Sequence, residues 1–212
     1  MKTLIVVDFQ KDFINGTLPV PGAKEAENAI CKYIIENYDE LEEIVFTVDW
    51  HSPKHCSFVK NDGIWPRHCL QYSEGAGISD EIIQTCFNFG IPYRVFKKGE
   101  NDNKEEYGAF ENLIISKYNE HGRTLPYPEL DAYNHDFASL IIFKNTNFVI
   151  CGLAGDYCVK ETIKNLVNCK NKSEFNPLDF NINIEILKDG IGSIDGGKVL
   201  DEFIKENNLT VI

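Results

Sequence analysis

A cysteine stands in a glycine-rich segment, residues 152–158, directly after a short apolar run. The pattern predicts a strand, a tight turn and a helix that begins near Cys158. Amides in the first turn of a helix carry partial positive charge, which stabilises a thiolate or a developing oxyanion. Cys158 is therefore a candidate nucleophile. A buried structural cysteine that packs a helix onto a sheet fits the same segment.

An acidic and a basic side chain follow two other apolar runs. Asp8 comes directly after residues 4–7, and Lys98 follows the run 93–96 and precedes Gly99. Taken singly, Asp8 fits a loop cap and Lys98 fits a solvated turn residue. Taken together with the nucleophile candidate Cys158, Asp8 is a candidate base and Lys98 a candidate electrostatic stabiliser.

Three of the five histidines lie close together in the sequence. Asp49 and His51 are two residues apart, and His68 follows seventeen residues later. Carboxylate and imidazole ligands with open positions suit a catalytic divalent cation such as Zn²⁺, Fe²⁺ or Mn²⁺. Two alternatives stay open, namely plain turn residues and a closed structural zinc site that also uses Cys56 and Cys69.

Apolar runs alternate with helical patterns along the chain. Strands are predicted at 4–7, 44–48, 93–96, 148–151, 182–187 and 209–212, and helices at 23–38, 80–89, from about 109, 161–169 and 197–207. Such alternation predicts βαβ units with right-handed crossovers. The expected fold is α/β, a doubly wound and mostly parallel six-stranded sheet with helices on both faces.

The candidate residues share a position relative to the predicted strands. Asp8, Asp49, Lys98 and the segment 152–158 each follow a different strand. In doubly wound sheets, ligands bind outside the carboxyl ends of the strands. We therefore expect these residues to meet at one edge of the sheet.

Length and composition limit the classes of function. The 212 residues suit one domain, 1–212, with surface insertions near 119–136 and 169–183 where polar, proline-containing segments interrupt the pattern. The formal net charge of −12 argues against a nucleic-acid partner, and no apolar stretch is long enough for a membrane span. An odd count of seven cysteines, with no signal peptide, predicts a reduced cytoplasmic protein, with a nuclear location left open.

The sequence resembles the nicotinamidases, which belong to the isochorismatase-like cysteine hydrolases. The resemblance rests on an ordered set of motifs, residues 8–13 with Gly16, Leu18 and Val20, then 49–51, 65–69, 98–99 with 107–110, and 152–159. Two positions depart from the family pattern. Gly155 stands where a small polar residue is usual, and Gly108 replaces a usual serine.

The resemblance implies a role for each candidate residue. Cys158 would be the nucleophile, Asp8 the general base and acid, and Lys98 the third catalytic residue; Lys97 is adjacent, and the choice of Lys98 rests on Gly99 following it. The backbone amides of Ala154 and Cys158 would form the oxyanion hole, next to a cis peptide bond at Leu153–Ala154. The remaining roles are metal ligands at Asp49, His51 and His68, and walls for an aromatic substrate at Phe13, Trp65 and Tyr107. Three interpretations stay open for His55, namely a fourth ligand, an outer partner of a ligand and a plain surface residue, of which the outer partner is preferred.

The implied reaction is the hydrolysis of nicotinamide to nicotinate and ammonia through a thioester on Cys158, a step of NAD salvage. One divalent metal, most simply zinc with iron or manganese as alternatives, would bind the pyridine nitrogen. A homo-oligomer is left open. The alternatives are a related amidohydrolase acting on a carbamoyl or ureido substrate, and a catalytically silent α/β scaffold that binds partners.

Overall fold

A computed structural model describes residues 1–111, 147–172 and 182–212. The strands are β1 (Lys2–Val7), β2 (Leu41–Asp49), β3 (Tyr93–Lys98), β4 (Asn147–Gly152), β5 (Asn183–Ile191) and β6 (Thr210–Val211). The helices of the described ranges are α1 (Lys11–Ile14), α2 (Ala23–Asn37), α3 (Asp80–Asn88), α4 (Lys160–Lys172) and α5 (Lys198–Glu206), with a 3₁₀ turn at Val59–Asn61 and a π-helical turn at Gly155–Val159.

The six strands form one parallel sheet in the order β3-β2-β1-β4-β5-β6. The order reverses between β1 and β4, which are the two central strands. In doubly wound sheets this switch point opens a crevice outside the carboxyl ends of the strands. The predicted fold class is therefore confirmed, and the crevice lies beside Asp8 and Cys158.

Two apolar layers cover the two faces of the sheet. Successive residues of β1 point to opposite faces, so Leu4 packs in one cluster and Ile5 in the other. Buried side chains of α2 and α3 cover the first face, and those of α4 and α5 cover the second. Every residue of β1 from Thr3 to Val7 is buried, because the strand is covered on both faces.

Most element boundaries agree with the sequence prediction to within a few residues. The helix predicted from about Ala109 is wrong over residues 109–111, since Phe110 has a φ of +65° and these residues are not helical. The rest of that helix and the insertion at 119–136 lie outside the described residues. Of the second predicted insertion, 169–183, the first residues belong to α4, which continues to Lys172, and residues 173–181 lie outside the described ranges.

The described helices pack on the two faces of the sheet. Across residues 1–111, 147–172 and 182–212, none is long and apolar enough to cross a membrane. All six cysteines whose side chains are described are free.

Candidate active site

Cys158 lies where the chain turns from β4 into α4. The π-helical turn Gly155–Val159 carries it and continues directly into α4. At the end of β4, Gly152 has a φ of +129°, and a Cβ there would lie 2.1 Å from the carbonyl oxygen of Val7. Glycine therefore lets β4 approach β1 closely at the switch point, immediately before the turn that carries the thiol.

The residue that opens this turn presents a free amide. The peptide bond Leu153–Ala154 is cis, as the resemblance implied. The carbonyl oxygen of Ala154 accepts hydrogen bonds from the amides of Tyr157 and Val159, both at 3.1 Å. Within the described part of the chain, the Ala154 amide has no protein acceptor, and Ala154 lines the same pocket as Cys158. An unpaired amide at this position suits stabilisation of a developing oxyanion.

Asp8 lies at the end of β1, fully buried and with a φ of +47°. The Thr47 hydroxyl donates to Asp8 Oδ1 at 2.6 Å, and the other carboxylate oxygen, Oδ2, lies 2.8 Å from Lys98 Nζ. A carboxylate oxygen of Asp8 also lies within 4.8 Å of Cys158 Sγ. Thr47 therefore holds one oxygen of Asp8 and leaves the other to the Lys98 ammonium, with the Cys158 thiol nearby.

Thr47→Val is expected to lower kcat/KM for amide hydrolysis by about 10- to 100-fold, because a hydrogen bond to a charged group contributes roughly 1.5–3 kcal/mol. The backbone hydrogen bond from the Asp8 amide to the Thr47 carbonyl, at 3.0 Å, is kept in this variant. Thr47→Ser retains the hydroxyl and is expected to keep most of the activity. Steady-state kinetics of the two variants compare them directly, and equal losses in both would contradict this role.

Lys98 is the buried member of the adjacent lysine pair. Its Nζ lies 2.5 Å from Asp49 Oδ1 and 3.7 Å from Cys158 Sγ, and donates to the Glu106 carbonyl at 3.1 Å. Lys97 points away, exposed, with its Nζ 4.4 Å from the centre of the Trp50 ring. Alternation along β3 thus sends successive lysines to opposite faces, and Lys98 is the one at the site.

Burial governs proton affinity at this cluster. It raises the pKa of the Cys158 thiol well above its usual value, although Lys98 acts in the opposite direction. It also raises the pKa of the Asp8 carboxyl against the effect of Lys98. Burial alone would lower the pKa of Lys98, but Asp49 and Asp8 outweigh it and hold that pKa well above the usual value. Burial therefore opposes the stabilisation of a Cys158 thiolate by the helix terminus, and it makes Asp8 a stronger base than an exposed aspartate.

Asp49, His51 and His68 converge next to the Cys158 thiol, all three buried. Asp49 Oδ2 lies 3.4 Å from His51 Nε2 and 3.9 Å from His68 Nε2. Ligands at 2.0–2.1 Å from a tetrahedral zinc ion lie roughly 3.4 Å from each other. The three side chains therefore fit one small divalent cation with little rearrangement.

The backbone orients both imidazoles for this role. His51 Nδ1 hydrogen-bonds the Gly99 carbonyl at 2.8 Å, and His68 Nδ1 hydrogen-bonds the Pro66 carbonyl at 2.7 Å. Since each carbonyl accepts the Nδ1 proton, each Nε2 keeps its lone pair and faces Asp49. This pattern is typical of histidines that bind a metal.

His55 and the nearby cysteines do not join the ligand group. His55 Nδ1 pairs with the Ser57 hydroxyl at 2.8 Å and Nε2 with the Lys104 carbonyl at 3.1 Å, while its ring lies 4.0 Å from that of His51. Among the described residues, neither Cys56 nor Cys69 falls in the Asp49–His51–His68 group. The closed structural zinc alternative therefore has no support among the described residues, and His55 is a buried residue that packs against His51.

A pocket of about 400 Å³, including its open mouth, leads to Cys158. The three predicted wall residues Phe13, Trp65 and Tyr107 all line it. Trp65 Nε1 donates to the Tyr107 hydroxyl at 3.0 Å, which fixes these two rings relative to each other. The pocket thus places aromatic walls next to a thiol and to the Asp49–His51–His68 group, an arrangement that suits a flat aromatic ligand.

Several residues at the site were missed by sequence reasoning. The pocket is also lined by Leu18, Val20, Glu105, Tyr157 and Ile194. Tyr157 packs against Trp65 and Tyr107, with ring centroids 5.1 and 5.4 Å apart, and its place beside Cys158 in the turn was a usable signal. Ile194 follows β5, and no motif pointed to it.

Gln10 is a further residue to which the sequence analysis gave no role, and it positions the backbone of Asp49. Its Oε1 accepts from the Asp49 amide at 2.8 Å, while its Nε2 donates to the carbonyls of Asp49 and Ala76, both at 2.9 Å. The fully buried side chain thus satisfies the backbone of Asp49 where β2 ends.

Comparison with known proteins yields curated relatives of a single kind. The chain is 31% identical over 188 residues to a nicotinamidase of Saccharomyces cerevisiae, covering 76% of this chain and 79% of the relative. It is 30% identical over 180 residues to a nicotinamidase of Escherichia coli, covering 76% and 74%. No family model matches the chain.

Solved structures agree with the observed fold. A pyrazinamidase of Pyrococcus horikoshii in complex with zinc superposes with a TM-score of 0.68 at 25% identity, over 100% of this chain and 98% of that chain. The yeast nicotinamidase bound to the inhibitor nicotinaldehyde gives 0.69 at 26% identity, over 100% and 99%. An N-carbamoylsarcosine amidase of Thermoplasma acidophilum gives 0.61 at 21% identity, over 99% and 94%, and shows likeness of fold alone.

Proposed function

The chain belongs to the nicotinamidase family of isochorismatase-like hydrolases, and we propose that it hydrolyses nicotinamide to nicotinate and ammonia through Cys158, Asp8 and Lys98. One observation carries the assignment of roles. The thiol, the carboxylate and the ammonium meet at the sheet switch point, beside Asp49, in an aromatic pocket. This arrangement supplies a nucleophile, a base and a site for an aromatic amide in one place.

The acylation half of the reaction uses these groups in turn. Asp8, whose pKa burial raises, takes the thiol proton of Cys158 as the sulfur attacks the carboxamide carbon. The amides of Ala154 and Cys158 donate to the oxyanion, and losing one such donor would cost roughly 3 kcal/mol of barrier. Asp8 returns its proton to the departing ammonia, which leaves a thioester on Cys158.

The deacylation half reuses the same base. Asp8 accepts a proton from a water that attacks the thioester carbonyl, and it returns this proton to the sulfur as nicotinate leaves. Lys98 supplies the positive charge beside this base, since Asp49 and Asp8 raise its pKa well above the usual value. It stabilises the negative charge that passes between carboxylate and sulfur.

Asp49, His51 and His68 would hold one divalent cation, which we propose is zinc in preference to iron or manganese. The zinc complex of the Pyrococcus neighbour and the ligand geometry support this choice. A cation at this position supplies a Lewis acid that orients the pyridine nitrogen and increases the acidity of water. Phe13, Trp65 and Tyr107 would then enclose the ring.

Ammonia release from nicotinamide tests the proposed function. The protein loaded with zinc should release ammonia, and a chelator should abolish this activity while the far-ultraviolet circular dichroism stays unchanged. A catalytically silent scaffold predicts no release under any condition. A carbamoyl or ureido amidohydrolase predicts release from those substrates in preference to nicotinamide.

His51→Ala and His68→Ala are each expected to weaken zinc binding by more than about 100-fold. Losing only an outer hydrogen-bond partner of a ligand weakens metal binding by about 10- to 100-fold, and losing a ligand itself should cost more. Competition with a chromophoric chelator measures zinc affinity without any turnover. His55→Gln is the matched control, since its ring contacts His51 without joining the ligand group. Unchanged zinc affinity in both alanine variants would refute the ligand assignment.

We propose a cytoplasmic location, which the free cysteines support. A second location in the nucleus and assembly into a homo-oligomer are two further expectations from the sequence. Cell fractionation and light scattering test these two points separately.

A further inference from the structure

The loop after β5 contributes one side chain, Ile194, to the pocket that leads to Cys158. Ile194 is 43% exposed, so it lies at the open side of that pocket, with apolar Leu18 and Val20 among the other lining residues. It lies outside every motif that suggested the function. A side chain at the pocket mouth that comes from a separate loop is well placed to decide which substrates enter.

Asp156 ties this loop to the catalytic turn. Its buried carboxylate accepts from the Ile194 amide at 2.9 Å through Oδ1 and from the Asp195 amide at 3.2 Å through Oδ2. The Gly155 amide donates to the Gly192 carbonyl at 2.8 Å. The two residues that precede Tyr157 and Cys158 therefore hold the backbone on both sides of Ile194.

Close packing reinforces these hydrogen bonds. A Cβ at Gly155 would lie 2.1 Å from the Ser193 hydroxyl oxygen and 2.9 Å from Ile191 Cγ2. Ser193 thus occupies the volume that a side chain at residue 155 would need. On the far side of the loop, the Asp195 carboxylate accepts from the amides of Gly197 and Val199 at 2.7 and 2.8 Å, which fixes the loop to the start of α5.

We propose that Ile194 is a specificity-determining residue that limits the size of the aromatic ring accepted, and that Asp156 is the positioning residue that holds it. This inference rests on the proposed amidase function. The substrate class is a small heteroaromatic carboxamide, and ring substituents or fused rings that reach Ile194 are excluded. One methylene in an apolar pocket changes kcat/KM by about 10- to 200-fold, so a single side chain suffices for such selection.

The test compares kcat/KM for nicotinamide with that for its ring-methylated derivatives and quinoline-3-carboxamide. Ile194→Ala should raise the ratio of at least one bulkier amide to nicotinamide by about 10-fold or more. Ile194→Phe should lower the same ratio. Ile35→Ala, which shortens an isoleucine of similar exposure on α2, is the matched control and should leave all ratios unchanged.

The variant Asp156→Asn tests whether Asp156 holds Ile194 in position or only stabilises the fold. The asparagine oxygen accepts from only one of the two amides, so Ile194 loses its fixed position and the ratios should move in the direction of Ile194→Ala. Loss of folded protein alone lowers every kcat/KM equally and leaves the ratios constant. That result in Asp156→Asn would overturn the positioning role.

The failures of the two proposals are distinguishable. If the wild-type protein releases no ammonia from nicotinamide, the proposed function is wrong. If the wild-type protein is active and both Ile194 variants keep every wild-type ratio, only the specificity role is wrong.

Discussion

Cys158→Ala is expected to lower ammonia release from nicotinamide by about 10⁵-fold or more, since loss of a nucleophile removes the covalent route itself. The side chain is buried at the end of the pocket, and within the described residues no other cysteine lines it. Alanine is smaller and apolar, so the fold should be kept. Single-turnover kinetics with mass spectrometry measures this loss, because the wild-type protein should accumulate an acyl adduct on Cys158.

Cys151→Ala is the control for the nucleophile. Cys151 lies on β4, fully buried in the core, and burial raises the pKa of its thiol. Its replacement should reduce stability by creating a small cavity, with kcat per folded molecule near the wild-type value. Full activity in Cys158→Ala would refute the mechanism. An adduct on any other cysteine would refute the assignment of the nucleophile.

Lys98→Met is expected to destabilise the metal-free protein by about 3–5 kcal/mol, because it leaves Asp8 and Asp49 buried without a countercharge. Chemical denaturation in the presence of a chelator measures this change in the free energy of unfolding. The rate of ammonia release by the zinc-loaded variant should fall by about 10²- to 10³-fold. The variant lacks the positive charge that stabilises the anion as negative charge moves between Asp8 and the Cys158 sulfur.

Lys97→Met provides the comparison for this variant at the neighbouring residue. Its ammonium is exposed and contacts the Trp50 ring, an interaction worth about 0.5–1 kcal/mol at exposed sites. Both stability and activity should therefore stay near wild type. Equal effects of the two substitutions would show that the buried ion cluster has no special role.

The sheet and the location of the site followed from the sequence because each depends on short-range pattern. Uninterrupted apolar runs such as residues 4–7 identify strands covered on both faces, and parallel topology brings their carboxyl ends together. Asp8, Asp49, Lys98 and Cys158 could thus be placed at one edge without knowledge of the pairing register. In the sequence, the choice of Lys98 over Lys97 rested only on the adjacent Gly99. The structure separates the two lysines, because successive side chains of β3 point to opposite faces and only Lys98 reaches the site.

The residues that sequence reasoning missed act through long-range contacts. Thr47 and Gln10 hydrogen-bond across 39 positions of sequence, and Asp156 reaches the loop 38 positions away. Gln10 and Asp156 lie within the motifs, but the sequence does not show which distant backbone groups their side chains reach, and Thr47 looks like an ordinary strand threonine. The raised pKa of Cys158 could not be predicted from the sequence for a similar reason, because its burial depends on packing between distant parts of the chain.

The shared position of Lys98 between two carboxylates has a consequence for the charge inventory of the site. One ammonium and two carboxylates leave this buried group with a total of minus one, counting the histidines as neutral. Proton transfers between Asp8 and Cys158 are internal and leave that total unchanged. A dication would change it to plus one, and the tetrahedral intermediate would leave it there, because the substrate is neutral and the thiol proton only moves to Asp8. With the cation, the enclosure therefore keeps a net positive charge while the substrate oxygen carries its negative charge, whereas the bare protein would hold the same species at a total of minus one.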